Sequence, residues 1–176
     1  PLIEAVRFAT EPLQPMPGQA DALMIWLNGL FEGDVPGLSR LRHAACLIAG
    51  QGWLIGPEAR AADGAAMALH GKWIGITARE RAMVAMAVQV AAGDSEPLFV
   101  AMAGLASEAD LALARRWGQA MRLAGRIGGG AAALPEQRQA LLGAVAKAVP
   151  PAQRQGGATL LLGCREIPVA TSLELV

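Results

Sequence analysis

Leu41-Arg42-His43-Ala44-Ala45-Cys46-Leu47-Ile48-Ala49-Gly50-Gln51-Gly52-Trp53 is the stretch that decides the fold. Leu41, Ala44, Ala45, Ile48 and Gly52 recur at helical intervals, which predicts a helix with one buried face. The small side chains on that face let neighbouring helices approach closely. Ser39 stands where an N-cap belongs, just after a turn over Gly33-Asp34-Val35-Pro36-Gly37.

The flanking sequence supplies the neighbours. Upstream, Leu2 to Thr10 reads as a short helix, broken by Pro12, Pro15 and Pro17. Gln19 to Phe31 follows as a helix, with Leu23, Trp26, Leu27 and Leu30 predicted to share its inner face. Downstream, Glu58 to Leu69 is a weaker helix and residues 70–76 an irregular connector. Thr77-Ala78-Arg79-Glu80 has the form of a capping box opening a helix that runs to about Ala92. Val84, Ala87, Val88 and Ala91 make one apolar stripe there, and Met83, Met86 and Val90 fill another. Such a helix belongs at the centre of a bundle. After a loop over 93–97, Leu98 to Leu105 is a short helix. Ser107 caps the next, which runs to Ile127, with Leu111, Ala114, Gly118 and Met121 inward and Arg115, Gln119, Arg122 and Arg126 on another face. Pro135 opens a last helix, Glu136 to Ala148, and short strands are expected over 159–164 and 171–176.

Composition bounds the function. The 176 residues suit one domain with a sizeable core, and 53% of them are hydrophobic. Mean hydropathy is +0.36, yet no eighteen apolar residues run uninterrupted, so no membrane span is expected. A net charge of zero offers no general attraction to nucleic acid or to anionic membrane. Cys46 sits in an apolar helix and reads as a small core residue, not as a disulfide partner of Cys164, and no CxxC occurs. The start at Pro1 reads as a cut point, no signal-peptide pattern follows it, and a cytoplasmic location is the expectation.

Three segments resemble one family in order and spacing. They are "LRHAACLIAGQGW" (41–53), "HGKWIGITARERAMVAMAV" (70–88) and "LARRWGQAMRLAGRIGGG" (113–130). Together, over about residues 1–130, they are similar to the C-terminal helical domain of the exopolyphosphatase/guanosine pentaphosphate phosphohydrolase (Ppx/GppA) family. The first segment also resembles the signature helix of the HD superfamily, whose "AALLHDIG" carries a His-Asp metal dyad. Here the dyad positions are Ala49 and Gly50, and the family's "IDHPGR" has become Ile76-Thr77-Ala78-Arg79-Glu80-Arg81 without its His. The resemblance implies an HD-like all-α fold. The match fades beyond residue 130, so the last helix and the strands are read from local pattern. With them the expectation is a mainly α chain, an HD-like helical bundle over 1–155 followed by a short β-hairpin or strand pair over 156–176. That tail is expected to pack on the bundle or on a missing part of the parent. The resemblance also implies that hydrolysis belongs to N-terminal actin-like phosphatase domains, which become expected partners of this chain.

The expected role is therefore accessory: helping to hold polyphosphate and contributing to dimer contact, with no catalytic residue, no metal and no cofactor of its own. A second copy of the chain is a candidate partner. Guanidinium groups suit bidentate phosphate contacts, so the candidate polyphosphate residues are Arg122, Arg115 and Arg126 along one helix, with Arg42, Lys72, Arg79 and Arg81 on other segments. Arg122 leads them because it matches the arginine of the family's "ALRLA". The alternatives are a metal-dependent HD-type phosphohydrolase, for which His43 and His70 are the only histidines, and a purely structural dimerisation module. Gly93-Asp94-Ser95 lacks a preceding strand and Gly128 to Gly130 follows a helix, so neither fits a phosphate loop. No serine stands in a nucleophile elbow, and Trp26, Trp53, Trp73 and Trp117 are expected in the core or at an interface.

Overall fold

The fold is built around one helix that is buried on every side. In a computed structural model, which describes residues 1–13, 18–31, 35–51, 57–93, 99–128, 159–161 and 166–168, that helix is α5 (Ala78–Ala92). Every residue from Ala82 to Gln89 is buried. Its start is local chemistry. The Thr77 hydroxyl accepts a bond from the Glu80 amide at 3.2 Å, and the Glu80 carboxylate accepts one from the Thr77 amide at 2.8 Å. Its stop is Gly93, at φ +103°, a backbone state that favours glycine.

The other helices are α1 (Leu2–Thr10), α2 (Gln19–Leu30), α3 (Pro36–Ala49), α4 (Pro57–His70), α6 (Phe99–Ala103) and α7 (Glu108–Gly128), with a 3₁₀ turn over Glu11–Leu13. The chain divides into two compact units, Pro1–Leu134 and Pro135–Val176. In the first, α5 packs against α7, α4 and α3, while α1 and α2 pack on α3 and α2 also meets α7. Small residues set these approaches. A Cβ on Gly64 of α4 would stand 2.6 Å from Val88, and one on Gly118 of α7 would stand 2.5 Å from the Ala87 carbonyl oxygen. Helices this close bury their faces almost completely, and each fully buried large apolar side chain contributes about 1.5–3 kcal/mol.

Two sequence expectations need correction. Ser39 does not cap α3. The helix begins three residues earlier at Pro36, whose preset φ suits the first helical position, and the cap residue is Val35 with no side-chain bond. The inner face of α2 is also rotated. Ala20, Met24, Trp26 and Leu27 are buried, whereas Leu23 and Leu30 are half-buried, because the helix meets both α3 and α7. The opening helix α3 is buried more widely than one stripe, from Leu41 through Ile48 with only His43 half-exposed. On α7 the expected inward set of Leu111, Ala114, Gly118 and Met121 is buried, with Trp117 beside it.

In the second unit, β1 (Thr159–Leu161) pairs antiparallel with β2 (Glu166–Pro168), Leu160 opposite Ile167 in register. The pairing strand thus ends on Pro168 and lies before the 171–176 stretch where the second strand is expected from sequence. The strand expected over 171–176 and the helix expected over 136–148 lie outside the described residues, as do Trp53 and Cys164. No helix among the described residues is long and apolar enough to cross a membrane.

Candidate functional site

The arginines singled out by sequence fall into two groups. In the first group the guanidinium is engaged by other groups of the fold. Arg42 is 4% exposed, its guanidinium 5.6 Å from the centre of the Phe31 ring and 5.8 Å from that of Trp117, which joins α3 to the end of α2 and to α7. Arg81 donates to the carbonyls of Leu69 (3.0 Å), Gly71 (2.7 Å) and Trp73 (3.2 Å), fastening the connector after α4. Arg79 makes a two-point pair with Asp110, through Nε at 2.8 Å and through Nη2. That pair, helped by the Ser107 hydroxyl, holds the Asp110 carboxyl well below the usual carboxylate range. Arg115 is half-buried on α7, and Lys72 is exposed on the connector.

In the second group are Arg122 and Arg126, one turn apart on α7 and both exposed. Neither forms an ion pair among the described residues. They stand at the rim of a cleft of about 340 Å³ enclosed by α2, α3, α4, α5 and α7. Arg60 and Asp63, at i and i+3 on α4, complete the charged rim, so three guanidiniums face one carboxylate. The Arg122 guanidinium lies against the end of α5, its Cζ 3.3 Å from where a Cβ on Gly93 would be. The walls include Ala49 and Gly50, the two positions that the sequence resemblance sets against the HD dyad. Gln51, 6% exposed, lines the same cleft. Cys46 lies beneath it, and full burial pushes its thiol pKa far up, which leaves it a neutral packing residue.

The family model for the exopolyphosphatase C-terminal domain matches residues 28–139, more than half of the chain. The chain belongs to the exopolyphosphatase C-terminal domain family. The match begins later than the resemblance read from sequence, so α1 and most of α2 precede it, while α3 through α7 fall within it. A comparison with curated proteins returned no significant match.

In this exopolyphosphatase C-terminal domain, His43 does structural work. His43 Nε2 lies 3.1 Å from Asp21 Oδ1 and 3.4 Å from Arg7 Nη2, in a cluster that ties α1, α2 and α3 together. The Arg7 guanidinium, 2.9 Å from Asp21, lowers the Asp21 pKa. His70 ends α4, exposed. Among the described residues no three His, Cys, Asp or Glu side chains are grouped to hold a metal ion. Sequence reasoning missed Arg60, Asp63 and Gln51. The signal for them was the loss of bulk at Ala49-Gly50, which opens a space that the adjacent Gln51 and the α4 residues Arg60 and Asp63 line.

Proposed function

We propose that this chain is the non-catalytic accessory domain of a cytoplasmic exopolyphosphatase-type protein, and that it holds polyphosphate through Arg122 and Arg126. The observation that carries this reading is the rim of the cleft. Two exposed guanidiniums one turn apart, with Arg60 nearby, present paired donors to successive phosphates. Arg42, Arg79 and Arg81 are committed to aromatic rings, a carboxylate and backbone carbonyls, so among the arginines Arg122 and Arg126 are the phosphate contacts, with Lys72 exposed on the connector as a further cation. Hydrolysis is left to actin-like domains of a longer parent.

The test is titration of the chain with linear polyphosphate at two salt concentrations. Binding should weaken with salt, as exposed charges do. Arg122→Ala and Arg126→Ala should each weaken it about tenfold, the size of one charge-assisted contact, with helix content unchanged. Salt-insensitive binding, or affinity that survives both substitutions, would rule the reading out. A second reading, a dimerisation module, is favoured by apolar side chains left in solvent, Phe8 (84% exposed) on α1 and Ile25 (57%) on α2. Sedimentation of the wild type against Phe8→Ser separates the two.

A further inference from the structure

The cleft is chemically more varied than a linear phosphate chain requires. Its floor is apolar, made by Leu23, Ile48, Met67, Val88 and Met121. A fully ionised polyphosphate gains nothing from such a floor and meets the Asp63 carboxylate at the rim. Ala49 and Gly50 put at most a methyl group on the wall, and no atom lies within 4 Å of where a Cβ on Gly125 would stand. Gln51 adds an independent pointer. Its buried amide nitrogen donates to the Met67 sulfur at 3.3 Å, a weak acceptor, in a position where a buried amide ordinarily finds an oxygen.

We propose that this cleft is a binding site for a small phosphate monoester with an apolar body and at least one hydrogen-bond donor, a molecule of mononucleotide size. The phosphate sits between Arg122 and Arg126. The body lies on the apolar floor, where its burial adds the hydrophobic contribution that inorganic phosphate cannot supply. Asp63, which repels a bare polyanion, accepts the bond from the ligand's hydroxyl or amino group, and the Gln51 amide turns from sulfur to a ligand oxygen. A volume of about 340 Å³ is at the small end of ligand sites, which suits one mononucleotide. The site shares two arginines with the polyphosphate surface but depends on the floor, which that surface does not use.

Adenosine monophosphate is the probe, titrated by calorimetry into the full 176-residue chain beside inorganic phosphate and linear polyphosphate. Saturable binding is expected for the mononucleotide, with inorganic phosphate at least about tenfold weaker. Gly125→Leu adds a side chain to the cleft's lining where no neighbouring element stands within 4 Å, removes no arginine and replaces a helix-interior glycine by a better helix former, so folding is not at risk. It should weaken mononucleotide binding about tenfold or more and leave polyphosphate binding within about twofold. Ala91→Leu, from α5, is a second filling variant with the same expectation. No saturable mononucleotide binding, or binding that ignores both filling variants, overturns the proposal. So does an equal loss of both ligands, which would mean one shared surface. Failure of polyphosphate alone to bind the wild type sinks the accessory reading and leaves this one standing.

Discussion

Gly118→Ala places a single methyl group where α5 and α7 come closest. That methyl would stand 2.5 Å from the Ala87 carbonyl oxygen, 2.7 Å from Val90 Cβ and 3.0 Å from Val90 Cγ1. A rotamer change moves the last of these, but the first two belong to a helix buried on all sides and cannot swing away. Restoring ordinary contact requires the helices to part by nearly 1 Å, since such contacts begin near 3.4 Å. Overpacking of this kind costs about 1–3 kcal/mol, and a clash with backbone belongs at the upper end. Replacing a helix-interior glycine by alanine returns about 1 kcal/mol. The net expectation is a loss of about 2 kcal/mol. Gly125→Ala, two turns along the same helix, meets nothing within 4 Å and keeps only the favourable part. The two substitutions should therefore change stability in opposite directions, by a difference of about 2–3 kcal/mol. Urea unfolding followed by far-ultraviolet circular dichroism reads this directly, provided the slope is unchanged. A Gly118→Ala protein as stable as Gly125→Ala would refute the claim that this contact is set by glycine.

Asp110→Asn should flatten the acid limb of the stability curve. Because the folded-state pKa of Asp110 is depressed, its contribution is present above the unfolded value and is lost as pH falls through the folded one. Wild type should thus lose more stability than Asp110→Asn below about pH 4, and exceed it by up to about 1 kcal/mol at neutral pH, a modest figure because Arg79 is half-exposed. Urea midpoints at neutral and acid pH check this, and parallel curves would refute it. Arg81→Lys should cost about 2–3 kcal/mol, since an ammonium cannot span the three carbonyls that the planar guanidinium reaches. Its urea midpoint should fall while polyphosphate affinity stays as in wild type; the reverse pattern would make Arg81 a ligand contact.

Features that depend on a few neighbouring residues were legible in the sequence. The capping box at Thr77 and Glu80, the Ser107 cap and the all-round apolar character of α5 need no knowledge of distant segments. The start of α3 was misread because two local signals competed, and the proline at position 36 won over the serine at 39. The face of α2 was misplaced because two partners, not one, decide which side is covered. The arginines show the same limit more sharply. Sequence identifies a cation, but whether it meets carbonyls, as Arg81 does, or an open rim, as Arg122 does, depends on how a connector folds back many residues away. The cleft was hidden for that reason. Its charged rim comes from α4 and α7, and its space from what Ala49 and Gly50 lack.

The Arg79–Asp110 pair joins the first turn of α5 to the first turn of α7, and Arg122 of α7 lies against Gly93 at the far end of α5. The two longest-packed helices therefore run parallel, and their peptide dipoles add instead of cancelling. Glu80, Glu108 and Asp110 stand at the positive end, two of them paired with Arg40 and Arg79, and the rim arginines stand at the negative end with Asp63 across from them. Each set of side chains thus offsets the helix ends it stands at. Arg122, lying against the end of α5, and Arg126, in the last turn of α7, therefore also serve as counter-charges to two aligned negative helix ends.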